Sequence, residues 1–506
     1  MKRRPLILAS LLLAAFAINV DTTIVNVALP SLVRELHAST TELEWIVDAY
    51  NLLFAALVLA TGNLSDRLGR KGVLLCGLGV FGAATTAGGL VDSPNALIAA
   101  RGVMGIGAAL IFPATLSLLT NVFTERRERA RAIGLWGATA GVGIAVGPIV
   151  GGWLLENYSW PSVFFALAPI AAVAALLIAV SVPTSRDPQT PAPDRAGVVL
   201  STTMMAALIY TIIEAPNQGW LAARTIGGLV LASALLVGFI AWERRAPAPM
   251  LDVGLFRNLR FSAASGAVTI TFFALMGFIF LVTLYMQFLK GYGPLSTGVR
   301  ILPVAVTVGI TSIVGTGLAV RAGTKLVVAG GLVSLAVGLA WTSSVSATTS
   351  YLTIAGQMVL LGAGIGLTSA PATESIMGAV SDAKAGIGSA INDATRILGA
   401  TLGVAIIGSI YASLYASQLE TALPAQVPDT AARAAHSSVG AAFAAAAQLD
   451  AAGPTGIAGT LRDAASTAFF DGFGAACLVG AGVAIAGAVM AAALLPAQPP
   501  RSTPSP

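Results

Sequence analysis

Residues 62–71 read Gly62-Asn63-Leu64-Ser65-Asp66-Arg67-Leu68-Gly69-Arg70-Lys71. Asp66, Arg67, Arg70 and Lys71 stand between two long apolar runs, 44–62 and 73–91. A short charged turn between two segments of about 20 apolar residues is the pattern of two membrane helices joined at a watered surface. Gly62 and Gly69 suit a tight turn between the spans, and Arg67, Arg70 and Lys71 are orientation signals.

The same reading extends to the whole chain of 506 residues, of which 56% are hydrophobic and only 10% charged. Soluble domains carry about 25% charged residues, so this composition belongs to a membrane protein. The 55 glycines fit helices packed closely in a bilayer. Fourteen spans are expected, near 6–29, 44–62, 73–91, 95–119, 132–155, 161–182, 197–215, 222–241, 262–288, 297–318, 326–343, 351–371, 386–412 and 470–495. The N-terminal "MKRRPLILASLLLAAFA" has the basic and apolar regions of a secretory leader. Its apolar character runs on to Pro30, so a retained first span is expected.

An even count puts both termini on one side. Of the 28 Lys and Arg residues, 20 then fall on the side of the termini, 6 on the other side, and Arg101 and Arg396 inside spans. The positive-inside rule makes the termini cytoplasmic. The net charge of +5 is thereby explained by topology, and no nucleic-acid partner is expected. Cys76 and Cys477 lie in apolar runs, and His37 and His436 in loops far apart in sequence, so neither a disulfide, a metal site nor a cofactor is expected.

Two segments stand outside the spans. Residues 183–196, "PTSRDPQTPAPDRA", read as a Pro-rich linker. Residues 413–469 read as an external, Ala-rich loop with one or two amphipathic helices, either an ordered cap or a solvated loop. The turn after span 2, "GNLSDRLGRK", has a weaker echo after span 10, "GTGLAVRAGTK", without the acidic residue. Such an echo predicts two six-helix bundles with two helices inserted between them, the plan of secondary transporters. The expected division is 1–182, 183–261 and 262–506.

The 62–71 stretch resembles the loop 2–3 signature of the major facilitator superfamily. Further stretches narrow the resemblance to its 14-helix drug:proton antiporters of the QacA/EmrB type: "DTTIVNVALP" from Asp21, "RGVMGIGAA" from Arg101, "GATAGVGIAVGPIVGG" from Gly137, "LFRNLRF" before span 9 and "NDATRILGATLG" in span 13. The resemblance covers about residues 10–412 and span 14. It departs at Pro161, where the family often has Arg, and over 413–469. It implies an all-α membrane protein with the major facilitator fold, built as two six-helix bundles plus two inserted helices. It also implies that Gly62, Asp66, Arg67, Gly69 and Arg70 form a conformational latch. In the same way it implies that the face of Gly143, Gly147, Pro148 and Gly151 on span 5 packs against the other half and is linked with exchange. From spacing alone, glycines four apart make a smooth face for close helix approach, and Pro148 bends the helix.

A carboxylate at the centre of a bilayer helix costs roughly 2.5–3.5 kcal/mol on insertion scales, so each intramembrane charge is a candidate site. These are Asp21, Asp48, Arg101 and Asp393 with Arg396, and Glu214 closes span 7. Asp393 and Arg396, three apart, can interact on one helix. Asn19, Thr22, Thr23 and Asn26 form a polar stripe beside Asp21, expected to face a watered cavity between the halves. A carboxyl there can load a proton, release it on the other side, and accept a cationic solute. The alternative is a hydrogen-bonded packing aspartate. Phe273, Met276 and Phe280 on span 9, with Asn26, are the candidate substrate pocket, since aromatic faces hold organic cations and Met adapts to varied shapes. Aromatics facing lipid would read the same way.

No Walker-type Gly-x-x-x-x-Gly-Lys-Ser/Thr run is present, so neither ATP hydrolysis nor another enzyme activity is expected and an ion gradient is the energy source. The expected function is a monomeric, proton-coupled exporter of amphipathic, cationic or multidrug small molecules by alternating access in the bacterial cytoplasmic membrane. The alternatives are a dedicated exporter of one natural product, siderophore or lipid, and a non-transporting receptor built on a carrier fold.

Overall fold

A computed structural model describes residues 4–186, 194–380, 385–423, 426–452 and 456–497. Among these residues every regular element is helical, and 14 segments are long and apolar enough to cross a membrane. Each expected span coincides with one of them. The expected linker falls partly, and Lys2, Arg3, Lys384 and Arg501 wholly, outside the described residues.

The first half holds α1 (Arg4–Leu36), α2 (Thr40–Leu68), α3 (Arg70–Gly88), α4 (Pro94–Val122) and α5 (Arg126–Asn157). Its sixth span is interrupted at Ala166 into α6 (Pro161–Phe165) and α7 (Leu167–Ser181). An inserted hairpin follows, α8 (Arg195–Gln218) and α9 (Ala223–Glu243). The second half holds α10 (Leu259–Leu284), α11 (Pro294–Ala322), α12 (Thr324–Thr342), α13 (Tyr351–Met377) and α14 (Ala385–Ala422). It is completed by α15 (Asp429–Ser437), α16 (Val439–Ala452) and α17 (Ile457–Leu494). Both described ends of the chain lie at one face, here the termini face. The α1–α2 and α10–α11 connections lie at the opposite face.

Sequence dictates the termini-face turns. Nothing in 63–68 stops a helix, so α2 runs on through Gly62 to Leu68, and the turn rests on one glycine instead of the expected two. Gly69 has φ +120°, and its N–H donates to the Ser65 carbonyl (3.1 Å). The echo in the second half turns in the same way: α11 ends at Ala322, Gly323 has φ +89°, and its N–H donates to the Ala319 carbonyl (3.0 Å). A side chain at such angles is strained by about 1–3 kcal/mol. Gly69→Ala is therefore expected to lower thermal stability by that amount, read as a reduced melting temperature of the purified protein.

Within each half, small residues set the close crossings. Gly399 and Gly403 on α14 lie against the carbonyls of Thr269 and Phe273 on α10, where a Cβ would not fit. The halves meet along two seams, α5 with α11 and α2 with α14. The inserted hairpin lies on the second seam. Met205, Ile209, Ile212 and Ile213 of α8 bury against Leu52, Ala55 and Ala56 of α2 and Ala405 of α14.

The segment between the spans is shorter than the expected 413–469, and of the two alternatives it takes the ordered cap with two helices. Alanine is the best helix former, and the Ala-rich flanks extend α14 to Ala422 and start α17 at Ile457. Between them α15 and α16 form a cap. The Tyr415 hydroxyl donates to the Ala435 carbonyl (3.0 Å), and Arg462 pairs with Asp450 (2.6 Å). The cap reaches both halves: Thr40 of α2 donates to the Ser437 carbonyl (3.2 Å), and Gly440 sits against Val33 of α1 and Phe288.

Candidate transport site

Among the described residues, the hydrogen bonds joining the two halves lie toward the opposite face. Besides Thr40 to Ser437, the Gln287 amide donates to the Val27 carbonyl (2.9 Å), and the Ser409 hydroxyl to Glu44 (3.1 Å). Gln287 belongs to a π-helical turn, Tyr285–Leu289, that ends the α10 span and aims the amide across the seam. On the α5–α11 seam, Gly298 abuts the Pro148 carbonyl, and Gly152 would place a Cβ 2.6 Å from Leu295. A narrow apolar gap lined by Thr23, Ile144, Pro148, Ile279, Gly298 and Ile301 marks where this contact ends. Nearer the termini face, Gly134, Gly137, Ala138 and Gly141 on α5 and Gly309, Ile313 and Gly317 on α11 are exposed. The conformation is closed at the opposite face and parted toward the termini face.

The expectation that the Gly143, Gly147 and Gly151 face meets the other half is corrected. That face packs on α1 of the same half, against Asn19, Thr23 and Ile24. The neighbouring face, carrying Pro148 and Gly152, meets α11. Both sets have four-residue spacing, and the packing of α1 decides between them.

Asp21 is fully buried and is held by Arg101, itself 1% exposed. The Arg101 Nη1 donates to both Asp21 oxygens, at 2.8 and 2.7 Å. Its Nε donates to the Ile46 carbonyl of α2 (2.9 Å), and its guanidinium lies 4.3 Å above the ring of Tyr50. Three helices thus hold one cation. Buried charge in low dielectric persists only with such complete partnering. The pairing brings together two residues singled out separately in the sequence, and adds Tyr50, which was not.

The polar stripe beside Asp21 does not face a watered cavity as a whole. The Thr23 hydroxyl donates to the Gly143 carbonyl (3.1 Å) and the Asn19 amide to Thr139 (3.3 Å), so part of it ties α1 to α5. Interhelical bonds of this kind satisfy polar groups in hydrocarbon. The Asn26 amide donates to the Thr22 carbonyl (3.0 Å), while its oxygen is buried without a partner.

Asp48 is fully buried, with neither carboxyl oxygen hydrogen-bonded. One turn earlier on α2 lies Glu44, equally buried and passed over in the sequence because it stands at the start of an expected span. Glu214 on α8 lines a cavity of about 810 Å³ at the opposite face. Asp393 and Arg396 act on each other electrostatically along one helix without a salt-bridge contact, and Arg396 also lies over the Phe272 ring, at 5.2 Å. Phe273, Met276 and Phe280 are all buried inside the protein, so they do not face lipid.

In the expected latch, Asp66 accepts from Arg70 Nε (2.6 Å) and from Ser117 of α4 (2.8 Å). The Arg70 N–H donates to the Ser185 carbonyl (3.0 Å). In this conformation these contacts of the turn stay within the first half and the segment that leaves it.

Residues 11–404 match the Major Facilitator Superfamily family model. The chain is 35% identical over 421 residues to the Multidrug resistance protein Stp of Mycobacterium tuberculosis, covering 83% of this chain and 78% of that one. It is 34% identical over 484 residues to the Multidrug efflux pump LfrA of Mycolicibacterium smegmatis, covering 96% and 94%. Among solved structures, a bacterial homologue of the human lysosomal transporter Spinster, in an inward-facing and occupied conformation, superposes with a TM-score of 0.69. That match has 14% identity and covers 98% of each chain, a likeness of fold.

Proposed function

The chain belongs to the major facilitator superfamily, and from that premise we propose that it is a proton-coupled exporter of amphipathic, cationic drug-like molecules. One observation carries the coupling: a carboxylate and a guanidinium buried together between α1, α2 and α4, beside halves closed at one face and parted at the other. A proton delivered to Asp21 removes the charge that holds Arg101, freeing it from α1. Loss of the proton restores the pair. A pair that makes and breaks with protonation is a two-state element that a gradient can bias. Multidrug efflux is the activity of the similar pump from Mycolicibacterium smegmatis, and the intramembrane carboxylates favour cations.

In this reading the termini face is cytoplasmic in a bacterial cell membrane, and the conformation described is inward-facing. The protein works as a monomer. Its parts are the bundle 1–182, the linker and inserted pair 183–261, and the bundle 262–506. Gly62, Asp66, Arg67, Gly69 and Arg70 engage the second half when the carrier opens outward. Asn26, Phe273, Met276 and Phe280 become the cation-binding surface when the seams rearrange.

The test is ethidium-driven proton release in proteoliposomes under an imposed inside-acid gradient. Native protein is expected to release protons on addition of ethidium, and Asp21→Asn to release none. Equal responses would show that Asp21 is a packing residue. No response from native protein to ethidium or related cations would overturn the cationic multidrug reading in favour of a dedicated cargo.

A further inference from the structure

The helix ends at the opposite face enclose a cavity of about 810 Å³ that neither the Asp21–Arg101 pair nor the α5–α11 seam uses. Pockets for drug-sized molecules run to about 300–1,000 Å³. One wall comes from α2 and α8 and carries Glu42, Trp45 and Glu214. The other comes from α15 of the cap and carries Arg433 and His436.

On the acidic wall, Glu42 is committed to its own helix. It forms a capping box with Ser39 at the start of α2, accepting from the Ser39 N–H (2.8 Å) and hydroxyl (2.8 Å). Glu214, near the end of α8, accepts one long bond from the Asn217 amide (3.3 Å). Trp45 is half-buried and leans on Tyr210, one turn before Glu214, with ring centroids 6.2 Å apart. A carboxylate close to an indole face suits an organic ammonium. The basic wall moves with the second half, because the Tyr415 hydroxyl of α14 holds the Ala435 carbonyl of α15 (3.0 Å). Arg433 is exposed, and among the described residues no ion pair joins it to Glu42 or Glu214. A guanidinium without such a partner presents paired donors that match a carboxylate.

Opposite charges thus stand on two walls of one cavity without touching. A molecule with both an ammonium and a carboxylate satisfies both walls, whereas a simple cation or anion meets one wall of its own sign. The bond that ties α2 to the cap, from Thr40 to the Ser437 carbonyl, lies in the wall of the same cavity. The cavity therefore exists only while the opposite face is closed.

We propose that this cavity binds aromatic zwitterions arriving from the opposite side of the membrane, with the ammonium against Glu214 and Trp45 and the carboxylate against Arg433, and that the bound molecule holds the opposite face closed. A ligand that bridges α2 and α8 to the cap has affinity for the closed arrangement alone and draws the population toward it. Transport is then slowed from the far side, without competition for the cargo path. Binding follows from the cavity itself, and the effect on transport rests on the exporter reading.

The probe is the dipeptide phenylalanyl-phenylalanine, with its N-acetyl form, which keeps only the carboxylate, and its amide form, which keeps only the ammonium. By titration calorimetry on the purified full chain, the zwitterion is expected to bind about tenfold tighter than either blocked form. In Arg433→Gln the zwitterion and the amide form should bind alike, and in Glu214→Gln the zwitterion and the acetyl form. A blocked form that binds native protein as tightly as the zwitterion, or no binding at about 1 mM, would overturn the site. That comparison uses native protein alone, so it decides even where a variant does not fold. Closure is read in proteoliposomes from Ile301→Cys in a Cys76→Ser background. Dipeptide at the opposite face, at about ten times its dissociation constant, is expected to slow labelling by an impermeant thiol reagent about tenfold, and to leave it unchanged when Arg433→Gln is added. Labelling that bound dipeptide does not slow would overturn the closing role. Ethidium-driven proton release in the same vesicles without dipeptide tests the exporter reading separately.

Discussion

Arg101→Ala is expected to abolish ethidium export and to destabilise the protein by about 3–5 kcal/mol, because it strands a buried carboxylate. The guanidinium donates to both oxygens of Asp21 and to the Ile46 carbonyl, and the neighbouring Tyr50 hydroxyl carries no charge to replace it. The double variant Asp21→Ala with Arg101→Ala should recover much of that stability, since it leaves no unpaired charge, and should still not export. Thermal unfolding in detergent and transport in everted vesicles separate the two effects. Full stability of Arg101→Ala would mean that Asp21 is neutral in the folded protein. Export by the double variant would move the coupling elsewhere.

Gly298→Ala is expected to destroy the closed seam at the opposite face. The added methyl would fall on the Pro148 carbonyl, which is backbone and cannot swing aside. The halves would then be held apart there, and the population would shift away from the conformation described. Ile301, 6% exposed beside this contact, is the reporter. With the exposed Cys76 replaced by serine, Ile301→Cys should react with an impermeant thiol reagent applied at the opposite face at least ten times faster in Gly298→Ala than in the glycine parent. A tenfold change corresponds to about 1.4 kcal/mol of shifted equilibrium. Unchanged labelling would show that the α5–α11 contact does not close the path.

Spans, their number and the paired halves were readable in the sequence because they depend on hydropathy and punctuation, which are local. The matching turns at Gly69 and Gly323 are one consequence. Pairings across the fold were less readable. Asp21 and Arg101 each stood out as an intramembrane charge, but 80 residues separate them and only the packing of α4 on α1 and α2 joins them. Spacing identified the smooth faces of α5 without telling which one meets α1 and which meets α11. Asp393 and Arg396 had the spacing of a pair and do lie within electrostatic reach, but the spacing did not announce the aromatic ring on α10 on which Arg396 also rests. Glu44 was hidden by its position at a span boundary, although its four-residue offset from Asp48 placed both on one helix face. The cap was half legible: alanine content announced helix, but its contacts with Thr40, Val33 and Phe288 come from distant segments.

The inserted hairpin makes the two flanks of the molecule unequal toward the lipid. On one flank α8 covers the α2–α14 seam with apolar side chains, and α9 packs on α8. On the other, α5 and α11 meet each other directly, and where they part toward the termini face their glycines leave a smooth lining. Amphipathic solutes concentrate in a leaflet before they meet any carrier. A molecule drifting sideways in the leaflet at the termini face meets there a gap bordered by Gly137 and Gly141 on one side and Gly309 and Gly317 on the other. Uptake by that route would follow a solute's oil–water partition more closely than its shape, and one carrier could then clear chemically unrelated compounds.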